Sequence, residues 1–204
     1  MLKFVDLQQG SQQWLDFRCH HIGASDAPIV MNVSPWKTPR QLAKEKWGVG
    51  PARYISQYMR RGIDLETTAL QKFCGGIGSY SPCVVVSTEN PFLMASLDGY
   101  DKHTLKGVEI KCPGPKDHGT ALGGEIPEKY FPQLQHQMYV CELSEISYFS
   151  FDGTDGVTLM CSRDDDYIKT MLEQHNKFWY YVENFILPPH KIKCKTVLHE
   201  AINK

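Results

Sequence analysis

The hydrophobic period of the chain changes near Cys74. Before it, Met59, Ile63, Leu65, Ala69, Leu70 and Phe73 recur near the 3.6 spacing, which predicts a helix over about 56–74. After it come short, partly β-branched runs bounded by Pro, Asn and Gly: 83–86, 92–94 and 107–111, each reading as a strand. Asp98-Gly99 breaks the second run from the third, so the second strand is expected to end at Asp98 as part of a meander. Upstream, helices are expected at 12–19, at a short segment opening on Ser25-Asp26, and from Thr38-Pro39 to near Gly48. Downstream, a helix is expected over 128–141, strands over 147–151 and 156–161, and a last helix from Asp164-Asp165-Asp166 to the Pro188-Pro189 stop. That order predicts a mixed α/β domain built on one sheet.

At 204 residues the chain is the size of one domain, and 42% hydrophobic residues exclude a disordered one. No apolar run reaches bilayer length, and the first residues lack an apolar leader core, so no membrane attachment and a cytoplasmic setting are expected. Seven cysteines without a C-x-x-C pair suit reduced thiols rather than disulfides or structural zinc. The net charge of −1 does not announce a polyanion. Yet Lys37, Arg40, Lys44, Lys46, Arg53, Arg60 and Arg61 face only Glu45 in one stretch, interleaved with Trp47, Tyr54 and Tyr58. Such a stretch suits either a phosphate backbone or a pair of solvated helix faces.

Glu109 and Lys111, two apart on a strand, point to one face. If the neighbouring strand ends beside them, Asp98 and Glu109 converge into a hard oxygen site for Mg²⁺ or Mn²⁺, with the Ile110 carbonyl as a further ligand. Lys111 then stands where it can orient a metal-bound water for phosphodiester hydrolysis. Chance supplies roughly two acid-x-Lys triplets in such a composition, and this chain contains one. An exposed cross-strand ion pair is the competing reading. On the 128–141 helix, Leu134, Met138 and Cys141 form the apolar stripe, while Tyr130, Gln133 and Gln137 share a separate face. The neighbours His20 and His21 point about 100° apart on a helix and make no metal pair; His136 can line the cleft or sit outside it.

Ser96-Leu97-Asp98-Gly99 followed by Val108-Glu109-Ile110-Lys111-Cys112-Pro113 resembles the active-site signature of lambda-type phage exonucleases, or YqaJ-like viral recombinases, within the PD-(D/E)xK nuclease superfamily. Three further motifs stand in the same order. Trp14-Leu15-x-x-Arg18 with Ile22-Gly23-Ala24-Ser25-Asp26 resembles the N-terminal motif, Arg61-Gly62-x-x-x-Glu66 the helical one, and Tyr130-x-x-Gln133-x-Gln135 the Tyr/Gln helix. Leu97 replaces the proline of the superfamily's "PD", at a non-ligand position.

The resemblance implies a single PD-(D/E)xK domain over 1–204, with a restriction-endonuclease-like central mixed sheet flanked by helices. Residues 1–75 are then mainly helical and carry a phosphate pocket and DNA-facing surface, and 76–204 hold the sheet core and C-terminal helix. It implies a Mg²⁺-dependent enzyme, with Mn²⁺ able to substitute, that digests the 5′-ended strand of linear duplex DNA and leaves 3′ overhangs. Asp98, Glu109 and the Ile110 carbonyl would hold metal, Glu66 would complete a two-ion site, and Lys111 would position the water. Arg18 and Ser25 would receive the 5′-phosphate, with Ser96 and Gln133 nearby, Tyr130 and Gln135 in support, and Met59 helping to split the duplex. A homotrimeric ring and a phage-type single-strand-annealing partner in a bacterial host are also implied. An endonuclease of the same superfold and a non-catalytic DNA-binding or annealing scaffold remain the alternatives.

Overall fold

The computed structural model describes residues 2–50, 56–75 and 79–192. Arg53 and Tyr54 of the basic stretch, and Cys194, lie outside them. Strands β1 (Lys3–Val5), β2 (Ile22–Gly23), β3 (Ser81–Val86), β4 (Leu93–Asp101), β5 (Lys106–Lys111), β6 (Glu145–Phe151) and β7 (Gly156–Ser162) form one sheet. Its order is β1-β3-β4-β5-β6-β7, with β2 pairing β4 off that path. The β5–β6 and β2–β4 pairs are parallel and the others antiparallel, so the sheet is mixed.

Helices α1 (Gln12–Cys19), α2 (Ala27–Val30), α3 (Pro39–Lys46), α4 (Gln57–Cys74), α5 (Pro115–Leu122), α6 (Phe131–Val140) and α7 (Asp165–Glu183) flank it. Their starts follow local chemistry. Ser11, Thr38, Ser56 and Asp164 each accept a backbone N–H at a helix start, and Thr38 with Gln41 closes a capping box behind Pro39. Leu93, Ala95 and Leu97 of β4 pack with Leu134 and Met138 of α6, while Met94 packs with Trp14, Val84 and Val86.

One expectation needs correction. The second strand does not stop at Asp98: β4 runs on to Asp101, and the turn falls at 102–105. Gly99 is therefore not a turn residue. A Cβ there would lie 2.8 Å from Val108 Cγ1 and 3.0 Å from Leu70 Cδ1, so glycine permits the close approach of α4 and β5. The first 75 residues also supply β1 and β2, both too short to leave a periodic signature.

The open edge of β4 explains where α6 sits. Pairing with β2 covers Leu93–Met94 and pairing with β5 covers Gly99–Asp101. Along this edge α6 adds side-chain donors: His136 Nε2 donates to Met94 O at 2.9 Å, and Gln137 Nε2 to Ser96 O at 3.2 Å.

Candidate active site

Glu109 is the centre of the site and is 3% exposed. Its Oε1 accepts from Gln133 Nε2 at 2.6 Å and from Lys111 Nζ, and its Oε2 accepts from Gln137 Nε2. Four residues separate the two glutamines, one turn of α6, so both amides aim at the same carboxylate. Asp98 enters from β4, its Oδ2 accepting the Ile110 N–H at 2.7 Å. Ile110, expected through its carbonyl, thus contributes its backbone N–H to the neighbouring acid.

The electrostatics tie a third acid to these two. Burial raises the Asp98 carboxyl, the charges of Glu109 and Glu66 raise it further, and Lys111 and the Ile110 N–H oppose them; the net position is well above the ordinary range. Glu66 on α4 is raised by burial and by Glu109, with Lys111 opposing. Burial works against the Lys111 ammonium, but Glu109 and Asp98 outweigh it and hold Lys111 above the usual lysine range. It is a fixed cation at neutral pH and a donor, not a base.

Among the described residues, no three His, Cys, Asp or Glu side chains converge on a single point where an ion would sit. The donor chemistry nevertheless fits a divalent metal. Asp98, Glu109 and Glu66 repel one another around one ammonium, and hard carboxylate oxygens under mutual repulsion are what Mg²⁺ or Mn²⁺ relieves. Asp98 and Glu109 form the close pair; Glu66 acts on them through charge.

A second cluster lies at the N-terminal motif. Arg18 Nη2 donates to Ser25 Oγ at 2.9 Å and to Asp26 Oδ1 at 3.2 Å. Lys46 Nζ reaches Asp26 Oδ2 at 2.7 Å and the Arg18 carbonyl at 2.8 Å, and Gly23 N–H donates to Asp26 Oδ2 at 3.0 Å. The guanidinium of Arg18 lies 4.8 Å from the Trp14 ring, and Trp14 Nε1 donates to Ser96 Oγ at 3.0 Å. Ser96 and Asp98 share β4, so one strand carries a member of each cluster.

Not every expected residue joins. Gln135 is fully buried but turns away: its Nε2 donates to Ser162 O at 2.9 Å and its Oε1 accepts from Asp164 N at 2.9 Å, so it ties β7 to α7. Two residues on a helix lie about 200° apart, which sends Gln133 and Gln135 to opposite sides. Tyr130 remains near: its ring centroid is 5.5 Å from Lys111 Nζ, and burial pushes its hydroxyl up to about 12. Met59 is 41% exposed at the start of α4. In the basic stretch, Lys46 is buried against Asp26, Lys37 pairs with Glu45 at 2.6 Å, Arg40 holds Pro188 O and Arg61 holds Pro113 O. Those four cations brace the fold, leaving Lys44 and Arg60 as its exposed charges among the described residues. Gln137, Trp14, Asp26 and Lys46 also enter these clusters, the first signalled in the sequence by its four-residue spacing from Gln133.

An acid on one strand and a Glu-x-Lys triplet on the next thus stand in a mixed sheet flanked by helices. The chain belongs to the YqaJ-like viral recombinase domain family, which matches residues 13–144. It is 27% identical over 179 residues to the uncharacterized protein YqaJ of Bacillus subtilis (strain 168), covering 84% of this chain and 56% of that protein. It is 26% identical over 163 residues to the uncharacterized protein R354 of Acanthamoeba polyphaga mimivirus, covering 72% of this chain and 29% of that one. The chain thus spans about half or less of the length of these relatives. Its fold matches that of an alkaline exonuclease (LHK-Exo) from Laribacter hongkongensis, with TM-score 0.73 and 22% identity over 86% of this chain and 94% of the other. A phage related exonuclease from Haemophilus somnus 129PT matches at TM-score 0.59 and 16% identity, over 81% and 94%. Among the described residues no helix is long and apolar enough to cross a membrane.

Proposed function

We propose that the chain is a Mg²⁺-dependent deoxyribonuclease, with Mn²⁺ able to substitute, that digests the 5′-ended strand of linear duplex DNA in the 5′→3′ direction. The 3′ overhangs it leaves serve recombination by strand annealing. The observation that carries this reading is Glu109 held by Lys111, Gln133 and Gln137 beside Asp98 on the adjoining strand. LHK-Exo, an exonuclease also crystallised with the deoxynucleotide dAMP, supports the substrate class.

In this reading Asp98, Glu109 and the Ile110 carbonyl would hold the metal, and Glu66 would help hold a second ion. When bound, the metal supplies Lewis-acid stabilisation of the phosphate oxygens and a more acidic water. Gln133 and Gln137 keep the Glu109 carboxylate in one orientation. Lys111 Nζ, charged throughout, donates to the attacking oxygen and offsets the charge that builds on the phosphate. Arg18 Nη2 and Ser25 Oγ receive the terminal 5′-phosphate, because a guanidinium offers forked donors to phosphate oxygens. Ser96 joins that pocket through Trp14. Met59, exposed at the start of α4, wedges the duplex apart. A homotrimeric ring around the DNA and a single-strand-annealing partner complete the proposal, as does a cytoplasmic location in a bacterial host.

Linear duplex incubated with Mg²⁺ tests it. Wild type is expected to release mononucleotides, Glu109→Ala and Lys111→Ala to release none, and covalently closed circles to stay intact. DNA retention without metal-dependent release would overturn the enzyme in favour of a scaffold, and cut circles would make it an endonuclease. Arg18→Ala is expected to slow degradation of 5′-phosphorylated ends selectively; equal slowing of 5′-hydroxyl ends removes the pocket.

A further inference from the structure

Trp36, in the segment between α2 and α3, keeps 67% of its surface in solvent. A side chain that gains so much from burial is held outside at a cost. Yet its position is built. Its backbone N–H donates to Ser34 Oγ at 3.3 Å, and Pro35 stiffens the turn between them. Lys129 Nζ lies 4.7 Å from the Trp36 ring centroid and covers one face. That ammonium is pinned by Asp117 Oδ2 at 2.6 Å and lies 5.3 Å from the Tyr130 ring, which in turn lies 5.5 Å from Lys111 Nζ. Cation and ring alternate outward from the carboxylates: Lys111, Tyr130, Lys129, Trp36.

We infer that the open face of Trp36 is a stacking platform for an unpaired nucleobase of the DNA strand entering the carboxylate site. This rests on the nuclease reading for the identity of the strand. One face of the indole is closed by Lys129, so a flat partner has one face left to use. Asp117 neutralises Lys129, which makes that lysine a prop for the ring rather than a phosphate ligand. Every base has a π-face, so the platform reads little sequence; it holds the strand while a phosphate further along it meets Lys111. Ring and backing cation are already in place, so little side-chain freedom is lost on binding.

Abasic substitution tests the contact from the DNA side. Duplexes with a short single-stranded 5′ end carry an abasic site at each terminal nucleotide in turn, and binding is read by anisotropy in EDTA. Wild type should bind the intact end about tenfold more tightly than the end lacking the stacked base. Trp36→Ala should bind both equally weakly, and Trp36→Phe should keep most of the difference. A wild type indifferent to every abasic position, or a Trp36→Ala protein that keeps the ratio, overturns the platform. A Trp36→Ala protein that keeps the ratio and changes mass in light scattering assigns the ring to a contact between proteins instead. The nuclease reading fails separately, by absence of nucleotide release from wild type in Mg²⁺, because the metal-free ratio does not depend on cleavage.

Discussion

Asp26 grips Arg18 from inside the protein. Its carboxylate is 5% exposed, bonds the guanidinium at 3.2 Å, and is itself held by Lys46 at 2.7 Å. Burial alone would raise the Asp26 carboxyl, but Lys46 and Arg18 outweigh it and hold it far below the carboxylate range. Removing one member of such a group leaves the others buried and uncompensated. Asp26→Asn is expected to cost about 3–5 kcal/mol in chemical denaturation. In the folded fraction, the preference for 5′-phosphorylated over 5′-hydroxyl ends should fall along with it, since Arg18 loses its anchor.

Gln137 and Gln135 are both fully buried on α6 and face opposite ways. Gln137→Ala frees one oxygen of Glu109 and the Ser96 carbonyl, so cleavage by folded protein is expected to drop about tenfold or more. Gln135→Ala breaks the tie between β7 and α7, costing about 1–3 kcal/mol while cleavage by the folded fraction stays near wild type. Melting curves paired with nuclease rates separate the two.

Much of this arrangement is legible in the chain. The period change at Cys74, the helix starts at Thr38 and Asp164, and the Glu109-x-Lys111 alternation all report local physics, and all recur in the fold. What escapes is non-local. β2 is two residues long and exists because β4 offers an edge; α5 has a weak pattern, with His118 and Ala121 its buried residues. Gly99 looks like a turn by composition, and its role depends on Leu70 and Val108 arriving from elsewhere. Asp26 reads as a cap because Lys46, 20 residues on, is invisible to it in sequence.

His136 and His175 meet edge to face with centroids 5.1 Å apart, both wholly buried. Burial pushes His136 down to about 4 and His175 down as well. A histidine that stays neutral when folded binds its proton more readily when unfolded, so its stability contribution is full above pH about 6.5 and drains as pH falls towards 4. For His136 the loss between pH 7.5 and 5 is about 2 kcal/mol. Asp98 and Glu66, raised in the fold, titrate in the opposite sense, and Asp26, depressed, contributes its loss only below about pH 4. The histidine share is therefore read as a difference: denaturation of wild type and His136→Gln at both pH values, with the variant expected to show the smaller acid loss. Identical losses would contradict this origin.

Gly99→Ala forces a methyl group to within 3.0 Å of Leu70 and closer to Val108. Overpacking of this kind costs about 1–3 kcal/mol. The melting temperature should fall by about 3–10 °C. Cleavage should fall too, because Asp98 precedes the displaced residue.

The two rungs joining Ile22 and Gly23 to Leu93 and Met94 set the Arg18–Ser25 motif, which we propose binds the DNA end, beside the strand that carries Ser96 and Asp98. Backbone pairing, not side-chain fit, sets that spacing, so it behaves as a ruler. A slip of one rung would carry Arg18 and Ser25 out of step with the acids by a whole residue and turn alternate side chains to the wrong side of the sheet. In the proposed function, gripping a terminus and cutting beside it become one measurement, taken along β4.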